Sequence, residues 1–206
     1  MKKCIIIGAG DFNALCPDYT ADFIIAADGG YEKLTEGSVD LLVGDFDSIK
    51  AFEIPHNVET IRFPSEKVSS DLELAVNEAI NRGFDCFYIY GALGGRLDHT
   101  FGSIAVLTAI SKKGMTGYLI GENEIITAVT NSKLELTGNG IISIFPAGEK
   151  AQGVTLEGLK YELNNAELTC CTTHGLSNEY ITGKSASIQV RDGTLIVIIQ
   201  KSADTD

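Results

Sequence analysis

Four short apolar runs in the first half of the chain end the same way, on glycine and acid. Lys3 to Ile7 leads into Gly8-Ala9-Gly10-Asp11, and Ala21 to Ala27 into Asp28-Gly29-Gly30. Leu41 to Val43 leads into Gly44-Asp45-Phe46-Asp47-Ser48, and Phe84 to Tyr90 into Gly91-Ala92-Leu93-Gly94-Gly95-Arg96-Leu97-Asp98-His99. Short apolar runs bounded by glycine read as buried strands, and helical patterns lie between them. Residues 31–37 suit a short helix, and Val58 to Phe63 another strand. Ser70 to Arg82 has Leu72, Val76, Ala79 and Ile80 at helical spacing, with Ser70 and Glu73 as a capping box and Gly83 past the end. A second helix, about Asp98 to Lys113, is apolar from Phe101 to Ile110, which predicts burial. Gly114 ends it before a strand at Thr116 to Ile120. Strands alternating with helices predict a parallel, Rossmann-like sheet covered on both faces.

Near Gly121 the helical period stops. Short β-type runs follow at 125–129, 133–136, 141–145, 153–156, 166–173, 185–190 and 194–199, separated by turn residues such as Asn139-Gly140 and Asp192-Gly193. The predicted fold class is therefore α/β: a nucleotide domain over 1–121, then an all-β sandwich over 122–206. No Pro/Ser-rich spacer separates them.

In an open parallel sheet, ligands bind beyond the carboxyl ends of the strands. That edge gathers Asp28, Asp45, Asp47 and Asp98, and the strand at 58–63 leads through Lys67 to Asp71. If Asp45 and Asp47 continue their strand, they point the same way and disfavour each other's ionisation. A hard cation such as Mg²⁺ on a nucleotide phosphate relieves that repulsion. Taken singly, each feature has a structural account. The Asp45–Asp47 pair suits a surface turn, Asp71 and Asp98 suit the first turn of a helix, and His99 suits a packed histidine. Five acids converging on one edge are harder to explain by stability alone. Lys67 and Arg96 share those loops and suit phosphate oxygens. The pattern points to metal–nucleotide chemistry of the phosphoryl-transfer type.

The formal charge of −12 argues against nonspecific binding to nucleic acid or anionic membrane. No basic, apolar leader opens the chain and no apolar run reaches membrane-spanning length. Five cysteines without a CxxC pair predict reduced, mostly buried thiols in a cytoplasmic protein. GxxxxGK[ST] is absent. Gly8-Ala9-Gly10 with Asp28 imitates a dinucleotide fingerprint, but Asn13 holds the third glycine position and Pro17 interrupts the expected helix.

Several segments in order resemble the bacterial thiamine pyrophosphokinase family. They are Ala26-Ala27-Asp28-Gly29-Gly30, Gly44-Asp45-Phe46-Asp47-Ser48, Ser70-Asp71-Leu72-Glu73-Leu74-Ala75 and Gly94-Gly95-Arg96-Leu97-Asp98-His99. In the second half they are Phe145-Pro146, Val154 to Leu163 and Gly175-Leu176-Ser177-Asn178-Glu179. The resemblance implies transfer of pyrophosphate from Mg·ATP to thiamine, releasing AMP, in a homodimer with active sites between subunits. It implies metal and phosphate handling by Asp45, Asp47 and Asp71, with Asp28, Gly29, Gly30, Ser48 and Lys67 toward the nucleotide. Arg96 and Asp98 would serve nucleotide or thiamine, with Asp71 or Asp98 as acceptor of the alcohol proton. Ser177 and Asn178 would hold thiamine.

The chain departs from the family's Lys-Asp-x-Thr-Asp at Lys67-Val68-Ser69-Ser70-Asp71, where Val68 replaces an acid. Two other readings stay open at this point. One is a kinase of another small heterocyclic alcohol, and the other a nucleotide or thiamine sensor that kept the fold.

Overall fold

The computed structural model describes residues 1–10, 12, 20–34, 39–46 and 58–201. Its strands are β1 (Lys3–Ile7), β2 (Phe23–Ala27), β3 (Leu41–Gly44), β4 (Glu59–Arg62), β5 (Cys86–Tyr90) and β6 (Thr116–Ile120). They continue as β7 (Glu124–Thr130), β8 (Lys133–Leu136), β9 (Ile141–Pro146), β10 (Lys150–Glu157), β11 (Leu163–Thr169), β12 (Asn178–Glu179), β13 (Ala186–Gln189) and β14 (Thr194–Gln200). Two α-helices accompany them among the described residues, α1 (Asp71–Asn81) and α2 (Leu97–Lys112). The chain forms two compact units by internal contact: 1–106 with 117–122, and 107–116 with 123–206.

In the first unit β1 pairs in parallel with β2 and β5, β2 with β3, and β3 with β4. All their carboxyl ends therefore lie along one edge. Their apolar side chains are buried almost throughout, Ile6, Ile7, Ile25, Leu41, Leu42, Phe87 and Ile89 among them. The helix signals act as read. The Ser70 Oγ accepts from Glu73 N–H at 3.2 Å at the start of α1. Gly83 follows the helix with φ +85°, a conformation that glycine adopts without cost to a Cβ. The second helix differs from its prediction. Ser103, Leu107 and Ile110 form its buried stripe, whereas Leu97 and Phe101 are exposed at 70% and 66%.

The predicted pairing of a Rossmann-like domain with a separate sandwich is not what the chain forms. The protein is mostly β, with one large mixed sheet and a second, antiparallel one. Within the large sheet the order is β5-β1-β2-β3-β4 in the first unit and β12-β9-β14-β7 in the second. Among the described residues β11-β10-β13-β8 form the second sheet.

In the second unit β14 pairs antiparallel with both β7 and β9. Its core gathers Ile142, Ile144, Val154, Leu156, Leu168, Ile188, Leu195 and Val197. Ser111, Thr130 and Thr194 join their hydroxyls in a chain of 2.8 and 2.9 Å contacts. The strand β12 has only two residues and no apolar period, so its sequence carries no strand signal.

Candidate active site

A cleft of about 540 Å³ opens at the carboxyl ends of β1, β2 and β5, lined by Gly8, Asp28, Asp71, Gly91, Arg96 and Asp98 with their neighbours. Its wall is backbone, because the strand ends meet too closely for side chains. The Gly8 N–H donates to the Tyr90 carbonyl at 2.8 Å, and a Cβ on Gly8 would stand 2.7 Å from the Gly91 oxygen. Gly30 approaches β1 in the same way, since a Cβ there would collide with the Ile7 carbonyl. This is why glycine ends these runs. Asp28, Gly29 and Gly30 open a 3-10 turn over Asp28–Lys33, and residues 35–37 of the helix expected over 31–37 lie outside the described residues.

The acids and Lys67 form one cluster. Lys67 Nζ donates to Asp71 Oδ1 at 2.7 Å and lies 3.7 Å from Asp45 Oδ2. Burial depresses the lysine's pKa, but the Asp71 hydrogen bond and the charges of Asp71, Asp45 and Asp28 outweigh it and leave it raised. The Lys67 side chain is only 14% exposed, so this ammonium is held by geometry rather than loosely attracted.

Strand alternation does not place Asp45. The strand ends at Gly44, and Phe46 has φ +59°, a left-handed backbone that is strained for a bulky residue. Phe46 is held there by burial against Ala26, Val39 and Leu42, with the Arg62 guanidinium 5.5 Å from its ring centre. Asp28 is also left-handed, with φ +45°. Sequence reasoning did not find the turn at Phe46. Its only signal is an aromatic residue between two acids after a glycine. Asp47 and Ser48 lie outside the described residues.

Arg96 and Asp98 form an exposed bidentate pair, with Nη2 to Oδ2 at 2.6 Å and Nε to Oδ1 at 3.1 Å. The His99 N–H adds a bond of 3.0 Å to Oδ1. The Arg96 hydrogen bond, aided by that backbone donor, holds the Asp98 carboxyl below its ordinary pKa. His99 lines the cleft beside them.

The donor set suits Mg²⁺ carried on a phosphate. An ammonium already seated between Asp45 and Asp71 shows that this position favours positive charge. Magnesium usually keeps several waters and takes one or two carboxylates plus substrate phosphates. Among the described residues no three His, Cys, Asp or Glu side chains form a complete metal cage.

Ser177 and Asn178 lie in the second unit and differ sharply from each other. Ser177 is exposed with φ +54°, and its N–H donates to Ser143 Oγ at 3.0 Å. Asn178 is 3% exposed and already employed. Its Oδ1 accepts from the Tyr161 and Glu179 N–H groups at 2.9 Å each, and its Nδ2 donates to the Tyr161 carbonyl at 2.8 Å.

Clustered carboxylates, a captive lysine and an arginine around a glycine-walled cleft define the class of enzymes that handle charged phosphate groups. The comparisons give the family. Residues 19–119 match the thiamin pyrophosphokinase catalytic domain, and 131–195 the thiamin pyrophosphokinase vitamin B1 binding domain. A thiamine pyrophosphokinase of Bacillus subtilis is 31% identical, over 96% of this chain and 98% of its own. A crystal structure of thiamine pyrophosphokinase from Bacillus subtilis superposes with a TM-score of 0.85 at 28% identity, covering 98% of this chain and 100% of that one. One from Geobacillus thermodenitrificans gives 0.84 at 25%, covering 98% and 99%. The chain belongs to the thiamine pyrophosphokinase family.

Proposed function

We propose that the protein is a thiamine pyrophosphokinase, converting Mg·ATP and thiamine to thiamine diphosphate and AMP. The observation that carries this reading is the Lys67 ammonium held between Asp71 and Asp45 beside the cleft. The thiamine hydroxyl oxygen forms a bond to the β-phosphorus while the bond from that phosphorus to the α-phosphate oxygen breaks. AMP leaves with the bond's electron pair, and the hydroxyl proton passes to solvent or a carboxylate. Such transfers depend on positioning and charge neutralisation more than on covalent help.

Asp45, Asp71 and Asp47 are the residues to hold Mg²⁺, which when bound neutralises charge on the phosphates. Lys67 and Arg96 bind phosphate oxygens, and Asp28, Gly29, Gly30 and Ser48 seat the nucleotide. Asp98 orients Arg96 and meets substrate. Its lowered pKa makes it a weak base, which suits a loose transition state. Ser177 offers thiamine an exposed hydroxyl, whereas Asn178 shapes that wall by fixing the Tyr161 backbone. Tyr161 and Leu176, exposed at 57% and 53%, give the same wall an apolar surface for a heteroaromatic ring. Incubation with Mg·ATP and thiamine, followed by mass identification, should yield thiamine diphosphate and AMP. ADP as product, or no turnover, rules the assignment out.

The same reading takes the enzyme to be a cytoplasmic homodimer in which the acids of one subunit face the thiamine wall of the other. Co-expressing Asp45→Asn chains with Ser177→Phe chains tests it. Each homodimer carries a lesion in every site, but a mixed dimer has one site with both lesions and one with neither. Random pairing should then restore about a quarter of wild-type sites. With mixed dimers confirmed, turnover no higher than that of the separate variants shows that one chain builds each site.

A further inference from the structure

Of the thiols expected to be mostly buried, Cys4 and Cys86 are buried, Cys170 and Cys171 are free and exposed, and Cys16 lies outside the described residues. Cys170 and Cys171 occupy the two central positions of a tight turn at the end of β11. The Thr172 N–H donates to the Thr169 carbonyl at 3.2 Å, and the Cys170 N–H donates to the Glu149 carbonyl at 3.0 Å. The Thr172 hydroxyl adds a second bond to the Thr169 carbonyl, also at 3.2 Å. Backbone and hydroxyl thus fix the turn from both ends, and it presents both sulfurs together, 3.9 Å apart.

Three chemistries compete for such a pair. Adjacent Cα atoms are about 3.8 Å apart across a trans peptide. Ordinary disulfides span roughly 4.4–6.8 Å, so joining neighbours strains the turn. A structural zinc site needs four protein donors. Among the described residues no group of three or more His, Cys, Asp or Glu side chains is placed to hold a metal, so the pair has no such company. What two sulfurs satisfy alone is a soft centre that already carries its other substituent. Tetrahedral thiolates with bonds of about 2.3 Å stand about 3.8 Å apart, and a pyramidal trivalent centre draws them somewhat closer. The turn presents its sulfurs 3.9 Å apart, so a modest side-chain rotation brings both onto one such centre.

We propose that Cys170 and Cys171 form a bidentate capture site for trivalent arsenicals, independent of the pyrophosphokinase chemistry. An organic arsenoxide, R–As=O, reacts with both thiols. Two As–S bonds form, both S–H bonds break, and the arsenic-bound oxygen leaves as water with the two protons. Arsenic stays trivalent and no oxidant is required.

The test uses the full chain, reduced and freed of reductant, with equimolar phenylarsine oxide. Intact mass should show one phenylarsenic group per chain, gained with loss of one water. Peptide mapping should place it on the fragment holding both cysteines. A small vicinal dithiol should remove it, whereas glutathione should compete poorly. In Cys170→Ser and in Cys171→Ser the second arm is gone. The glutathione concentration that displaces half the group should then fall at least about tenfold, as expected when a linked second contact is lost. Both positions are exposed, so circular dichroism should be unchanged. Failure of the unaltered chain to retain the group, its mapping elsewhere, or a smaller fall in either variant overturns the site.

Discussion

The carboxylates around Lys67 and the amide of Asn178 were both expected to meet ligands, and the protein holds them in opposite ways. Asp71 and Asp45 share one partner, an ammonium on a flexible stem that a side-chain rotation can withdraw. Asn178 makes three hydrogen bonds to backbone, none of which a ligand can replace without opening the chain. Partnership alone therefore says little about function. What differs is whether the partner can be withdrawn without opening the backbone.

The sharpest test of this difference is on the acids. Asp71→Asn and Asp45→Asn should each lower turnover at least about a hundredfold, because the developing charge loses its metal anchor. Stability should change little, since Lys67 keeps one acid in each variant. Pyrophosphate transfer measured by AMP release checks the first, and thermal unfolding the second. Near wild-type turnover in either variant removes that acid from the site.

Asn178→Ala should give the reverse pattern. It leaves Tyr161 and Glu179 backbone groups without their side-chain partner in a buried place. The expected cost is about 2–4 kcal/mol of unfolding free energy, read from the denaturant midpoint. A variant with unchanged stability but a raised KM for thiamine would make Asn178 a direct ligand residue and erase the distinction.

The sequence made the fold and the candidate site legible only unevenly. The strand ends and the limits of α1 were legible because glycine and capping residues act locally, as Ser70 and Gly83 do. The pairing of β14 with both β7 and β9 was not, because a strand's neighbours are a tertiary choice. The strand alternation used to orient Asp45 fails at Phe46, whose backbone turns left-handed. The role of Asn178 was hidden for the same reason as β12. Its partners lie at Tyr161, seventeen residues away, and no local pattern reports them. The exposure of Cys170 and Cys171 depends on where β11 ends, so composition misjudged it.

If exchange is what marks the site, removing the resident cation should open it. Lys67→Met should tighten binding of Mn²⁺, as a probe for Mg²⁺, about three- to tenfold without nucleotide. Electron paramagnetic resonance of bound Mn²⁺ measures this independently of turnover. The same variant should bind ATP more weakly, having lost a phosphate contact. Unchanged or weaker Mn²⁺ binding would show that the ammonium helps assemble the acids rather than standing in for their ion.

The smallest expected effect concerns Asp98, whose partner is exchangeable in principle but already bidentate. Arg96 holds its carboxyl below the ordinary value of 3.8. A carboxyl with a lowered pKa in the folded state contributes fully above its unfolded pKa and loses that contribution as pH falls through the folded value. The pair therefore stays charged and intact above about pH 5, and Asp98 should add no acid limb to the pH–rate profile there. Arg96→Gln removes the leading cause of the shift and leaves the His99 N–H bond. The Asp98 carboxyl should then rise toward its ordinary value, read by ¹³C NMR of the labelled side chain. Both groups are exposed, so unfolding stability should not follow the change. An Asp98 pKa that stays put would mean that the helix start and the His99 N–H set it, and that Arg96 is available to phosphate without first leaving its acid.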